Sequence, residues 1–178
     1  MKLTTDWSII PTHTINVSDL SSPYDISLYM KGKKITKYLY QITYKGTVLK
    51  YGMSADNSRN YGERLYRQIG HIKSWGTLRL TGSSGSDFRI IEEDFQNLHG
   101  TEIDKNFVEI RVWDVSNYPF TTINPWNEVL AMESQLITKY VDAVGKKPIG
   151  NINDEANAFR RPAIQKTTWT SLFDAVTA

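Results

Sequence analysis

Two short runs dominate the first third of the pattern. Residues 38–44 (YLYQITY) and 47–53 (TVLKYGM) are rich in aromatic and β-branched residues and flank Lys45-Gly46. They predict a β-hairpin. Tyr61, Leu65, Ile69 and Ile72 then recur at helical spacing and predict a helix over about 61–74. Ser86-Asp87 caps a second expected helix carrying Phe88, Ile91, Phe95 and Leu98, closed by Gly100. Residues 107–115 alternate Val108, Ile110 and Val112 with Glu109 and Arg111, which predicts a strand. Asn124-Pro125 marks a helix start, with Asn as cap and Pro in first position, and Gly145 stops that helix after about Val144.

This order implies an α+β fold, with a small, mostly antiparallel three-stranded sheet flanked by helices. Residues 1–35 are Ser/Thr/Pro-spotted and read as an N-terminal extension, 36–152 as the domain, and 153–178 as a C-terminal tail. A chain of 178 residues suits one domain, and 40% hydrophobic content is enough for a core. The absence of cysteine excludes disulfides and thiolate metal sites. The N-terminus lacks the apolar stretch of a signal peptide, and no run is long enough to span a membrane, so a cytoplasmic protein with no membrane partner is expected.

The net charge of +2 selects no partner. Its distribution changes the picture. Between residues 31 and 79 eleven lysines and arginines face only Asp56 and Glu63, whereas residues 86–133 hold ten acidic residues and three basic ones. A basic half interleaved with tyrosines suits a phosphate backbone, unless the two halves cancel on folding.

Three constellations carry candidate chemistry. On a helical wheel Glu133 sits at the centre of a stripe formed by Trp126, Leu130, Ile137, Tyr140 and Val144. A carboxylate there must be ion-paired, protonated or metal-bound, or must lie where the stripe opens to solvent. Beside the apolar face of the 61–74 helix run Arg64, Gln68, His71 and Trp75, a polar stripe that either borders a cleft or is a solvated flank. The third is Lys50, in the middle of a strand that otherwise reads as core. A two-residue loop at Lys45-Gly46 pairs Tyr40 with Tyr51 and turns Lys50 to the other face. A three-residue loop with Gly46 left-handed pairs Tyr40 with Lys50. Alternation favours the first register and the turn glycine the second.

Taken together, these residues resemble the GIY-YIG nuclease family over roughly residues 37–152. YLY (38–40) stands at the first family motif and KYG (50–52) at the second. ERLYRQ (63–68) is similar to the family's arginine helix, AMESQLI (131–137) to its glutamate helix, and KKPIGN (146–151) to its closing segment. Tyr38 replaces the first glycine, Gln68 and Met53 stand where histidines are often found, and Lys50 replaces the second tyrosine, as in the restriction-enzyme branch. The resemblance implies a divalent-metal-dependent DNA endonuclease, with a restriction enzyme the branch it leans towards. Tyr40 would be the general base, Lys50 would favour its phenolate, Arg64 would hold the scissile phosphate, and Glu133 would carry Mg²⁺ (or Mn²⁺). Asn151 would pin the site or touch phosphate. Arg64, Arg67, Gln68, His71, Lys73 and Asn151 would contact nucleic acid. A double cut needs a homodimer or two successive nicks. The alternative is a catalytically inactive nucleic-acid-binding module on the same scaffold.

Overall fold

The computed structural model describes residues 4–55, 61–70, 72, 75, 96, 100–148 and 151. The expected α+β class is found. The elements run β1 (Thr12–Asn16), α1 (Asp25–Gly32), β2 (Tyr38–Tyr44), β3 (Thr47–Ser54), α2 (Glu63–Ile69), β4 (Val108–Asp114) and α3 (Trp126–Val144). The sheet has four antiparallel strands in the order β1-β4-β2-β3, not three. The additional strand comes from the stretch expected to be an extension. Thr12–Asn16 pair with β4, and Ile15, Val17, Ile26, Met30 and Ile35 enter the core. Among the described residues no helix is long and apolar enough to cross a membrane. The helix expected to carry Phe88, Ile91, Phe95 and Leu98 lies outside the described residues. Gly100, its expected stop, has φ +68 and donates its N–H to Gln96 O at 2.9 Å.

β2 and β3 are buried on both faces, which is why their sequences alternate weakly, whereas β4 keeps its alternation. One face packs Tyr40, Ile42, Leu49, Ile110 and Val112 against α1 and α2 through Ile26, Met30, Leu65 and Ile69. The other packs Leu39, Tyr51 and Met53 against Val129, Met132 and Leu136 of α3. α3 lies chiefly over β3, and Tyr140 packs partly against both clusters, so the helix reaches around the sheet edge.

The 61–74 periodicity yields a shorter helix. α2 begins after Gly62, which is left-handed at φ +67 and offers no capping side chain. Leu65, Ile69 and Ile72 are fully buried, as the spacing predicts. The long helix starts one residue later than Pro125 suggested and stops at Gly145, φ +85. Its first turn is tied down by Glu128, which accepts from the Thr121 amide and the Thr121 and Thr122 hydroxyls. Slight burial works against the Glu128 charge, but these hydrogen bonds outweigh it and hold the carboxyl below the usual glutamate range.

The β2–β3 hairpin combines features of both registers considered from sequence. Its loop is the two-residue one: Tyr44 pairs with Thr47, and Lys45 and Gly46 are both left-handed at φ 48 and +83, a type I′ turn. Thr43 then pairs with Val48, but Ile42 pairs with Lys50. Leu49 is the unpaired residue of a β-bulge placed inside the strand rather than at the turn. From there on every β3 side chain is on the face opposite to that of an unbulged hairpin. Leu49 itself is fully buried in the cluster that holds Tyr40 and Ile42.

Leu49→Ala is therefore expected to cost about 2–5 kcal/mol while keeping the bulge and the native sheet. Deleting Leu49 is a different change: it removes the bulge but leaves Lys50 opposite Ile42, so the pairing and faces beyond it are kept and only the buried Leu49 side chain is lost. Urea denaturation should show a cooperative transition at lower urea for both the substitution and the deletion. A deletion variant without a cooperative transition would show that the pairing beyond Leu49 needs the bulge.

Candidate active site

The site is built on β2 and β3. Beyond the bulge Tyr40 pairs with Gly52, Gln41 with Tyr51, and Ile42 with Lys50. Directly paired residues share a face, as do residues two apart on one strand. Tyr40 and Lys50 therefore stand on the same face as diagonal neighbours. The direct Tyr40–Lys50 pair of the three-residue loop is not formed, and Tyr40 does not pair with Tyr51. Both side chains are buried, Tyr40 at 3% and Lys50 at 7% exposure.

Gly52 explains how Tyr40 lies there. A Cβ at position 52 would fall 2.2 Å from Tyr40 Cζ and 2.3 Å from its hydroxyl oxygen. The phenol thus lies across the bare backbone of its cross-strand partner, towards the β3 edge. Sequence reading noted this glycine only as part of a motif. The requirement for it comes from the register.

Arg64 projects from the exposed side of α2, and its guanidinium carbon lies 4.9 Å from the centroid of the Trp126 ring. This cation–π contact joins the start of α2, on one sheet face, to the start of α3, on the other. Glu133 is half-buried. The stripe on which it was expected to lie centrally is corrected by the packing. Val129, Met132 and Leu136 form the buried face of α3, while Leu130 and Val144 are 42% and 43% exposed. Glu133 belongs to the flank of that face. Seven residues separate it from Trp126, so it falls nearly below Trp126 on the wheel, about 10 Å along the axis. Arg64 and Glu133 therefore address the same side of α3.

Asn151 makes a two-point clip on the edge strand. The Tyr51 amide donates to Asn151 Oδ1 at 2.7 Å, and Asn151 Nδ2 donates to Tyr51 O at 2.8 Å. The side-chain amide satisfies the backbone groups that an edge strand turns outward, one residue from Lys50 and one from Gly52. This arrangement supports the pinning role expected for Asn151 over direct phosphate contact.

The polar stripe of the 61–74 helix divides. Arg64 is exposed and Arg67 half-buried, the latter ion-paired to Glu63 at 2.6 Å. Gln68 is buried at 8%, and Trp75 is buried with its indole N–H on Ile69 O at 2.9 Å. The stripe is thus no continuous solvated flank. His71 and Lys73 lie outside the described residues.

Tyr38 was given no role from the sequence. It stands on the Tyr40 face, with ring centroids 6.2 Å apart, and is fully buried. Its hydroxyl forms no well-aligned hydrogen bond among the described residues. Burial pushes its pKa well above the ordinary phenol value, and the nearby Leu65 backbone, Ser54 hydroxyl and Arg64 charge offset this only in part. Burial likewise raises Tyr51, against the charge of Arg111, and pushes Tyr140 up to about 12, helped by neighbouring Tyr51. These phenols remain neutral across the physiological range.

Among the described residues no group of three or more His, Asp or Glu side chains stands together. A single carboxylate such as Glu133 fits Mg²⁺ (or Mn²⁺), which keeps several waters and takes substrate phosphate oxygens. It does not fit a structural zinc site or a calcium cage.

The contact between Tyr40 and Gly52 has a measurable consequence. Gly52→Ala is expected to cost about 1–3 kcal/mol, because the buried ring has nowhere to move. In a Tyr40→Ala background the same substitution should cost little, and a double-mutant cycle of denaturation free energies reads the difference. Equal costs in the two backgrounds would show that the ring does not occupy this space. Comparison with models of known protein families, with curated proteins and with solved structures finds no match for this chain.

Proposed function

We propose that the chain is a metal-dependent DNA endonuclease on a GIY-YIG-like scaffold, of the type that carries lysine in the second motif. The observation that carries this reading is the bulge at Leu49. It puts Lys50 on the face of Tyr40 and lays the Tyr40 phenol over Gly52. A strand lysine with no role would be expected to point out of the sheet and snorkel to water.

In this reading Tyr40 takes a proton from a water whose oxygen attacks the phosphorus of a backbone phosphodiester. A free phenol, pKa about 10, is a poor base at neutral pH, and an ammonium on the same face favours the phenolate. The bond from phosphorus to the 3′ oxygen breaks, and that oxygen is protonated from solvent. Arg64 neutralises charge on the phosphate as it builds in the transition state. Glu133 would hold a divalent cation, which would stabilise the leaving oxygen when bound. The Trp126 ring holds the Arg64 guanidinium, and Asn151 holds the β3 edge. Gln68, buried where the family often has histidine, favours a second reading: an inactive nucleic-acid-binding module. Incubation with plasmid and Mg²⁺, with and without chelator, separates the two. Cleavage that stops with chelator supports the enzyme, and binding without cleavage supports the module.

Glu133→Gln is expected to fold normally and to lose cleavage, because the cation loses its carboxylate. Normal Mg²⁺-dependent cutting by the folded variant would end the assignment. Arg64→Ala should lower turnover by roughly 3 kcal/mol of transition-state stabilisation, typical of a single charge-stabilising donor. Single-turnover rates with a folded variant measure it, and a near-wild-type rate would make Arg64 a surface residue. DNA binding should weaken steeply with salt, since phosphate contacts release counterions. A flat plot of log affinity against log salt would remove the electrostatic part of the reading.

A further inference from the structure

The turn from α1 to β2 carries Lys31, Lys33 and Lys34, all exposed. Its backbone closes as a helix C-terminus, with the Ile35 N–H on Met30 O at 2.9 Å and the Lys34 N–H on Lys31 O at 3.1 Å. This pair of bonds requires a left-handed residue, most often glycine. Here it is Lys34, with φ 57. A glycine is close by, but Gly32 lies within α1 at a position that has no use for its freedom. A left-handed lysine pays a steric cost that glycine does not.

Among the described residues only one other non-glycine residue has positive φ, Lys45. Lys45 has a local reason for its position. Its ammonium lies 4.7 Å from the Phe107 ring centroid and 5.6 Å from that of Tyr44. Lys34 has no such reason. Among the described residues no ion pair, hydrogen bond or ring contact engages the side chains of Lys31, Lys33 or Lys34. A favourable interaction with the helix dipole accounts for a lysine in the last turn, such as Lys31, but not for one in the left-handed position.

The three lysines close a helix that packs on the start of α2, the helix of Arg64. α1 meets the start of α2 at Gly62, where a Cβ would lie 2.9 Å from Ile26 Cγ2 and 3.0 Å from Met30 Cγ. Met30 immediately precedes Lys31, and Gly62 lies two residues before Arg64. From Lys34 the chain runs four residues to Tyr38, whose phenol is close to Arg64.

We propose that Lys31, Lys33 and Lys34 contact the backbone phosphates of duplex DNA and extend the interface of the candidate site onto α1. Strain held at an exposed position that local contacts do not explain points to function, and unpaired cations beside a phosphate-binding arginine suit a polyanion. The inference rests on the reading of the protein as DNA-binding.

The test is equilibrium binding of a fluorescent duplex in EDTA, where no cleavage runs, across a NaCl series, with thermal melting alongside. Lys34→Gly is expected to melt higher than the wild type, because the strain is relieved. It should also bind more weakly, with a salt slope smaller by about 0.9 for one lost phosphate contact. Replacing all three lysines by glutamine should reduce the slope by about 2.7 on the same basis. Wild-type affinity and slope in both variants would overturn the inference and leave the DNA reading standing. A melting point for Lys34→Gly at or below that of the wild type would overturn the strain argument. A wild-type protein that binds no duplex would overturn the DNA reading and this inference together.

Discussion

The insertion of Leu49 into β3 is the constraint on which the candidate site depends. Side chains along a strand alternate between two faces, so one extra residue exchanges the faces of everything beyond it. Up to Val48 the hairpin is regular, and its type I′ turn leaves the strands in ordinary two-residue register. Past Leu49, Lys50 and Gly52 turn towards Tyr40, while Tyr51 and Met53 turn towards α3. The bulge is stable because Leu49 is fully buried with Ile42 and Tyr40 rather than squeezed out into solvent.

The edge of β3 is then secured from several sides. Trp126 at the head of α3 holds the Arg64 side chain of α2. Tyr140 packs partly into both clusters, and Asn151 occupies the outward backbone groups of Tyr51. An unprotected edge strand invites pairing with another chain. Here the covering elements are also those that carry the candidate site residues, so protection of the edge and assembly of the site coincide. Burial keeps Tyr38, Tyr51 and Tyr140 neutral, which suits them to packing around the site rather than to carrying charge within it.

The N-terminal segment belongs to the same unit. β1 covers the outer edge of β4, and α1 packs on the start of α2 through Gly62. The exposed lysines of its closing turn stand beside a helix that begins with no capping side chain and with Arg64 in its first turn.

The sequence by itself determined the elements whose signals are local. The β2–β3 hairpin, the β4 strand and the long helix up to Gly145 were legible from alternation, turn residues and stop signals, within a residue or two. Tyr40, Lys50, Arg64, Glu133 and Asn151 could be singled out from motif order. What the sequence did not decide were the relations between elements. The pairing of Thr12–Asn16 with β4 carries no local mark, because a short, mixed edge strand reads as a loop. The expected face of α3 was right in part: Trp126, Ile137 and Tyr140 pack on the core, but Leu130 and Val144 are apolar yet exposed, and Val129, Met132 and Leu136 form the buried centre. Only the tertiary structure decided the face of Lys50. The turn chemistry at Lys45-Gly46 is compatible with either face, and the choice is made three residues beyond the turn glycine by the core position that Leu49 fills.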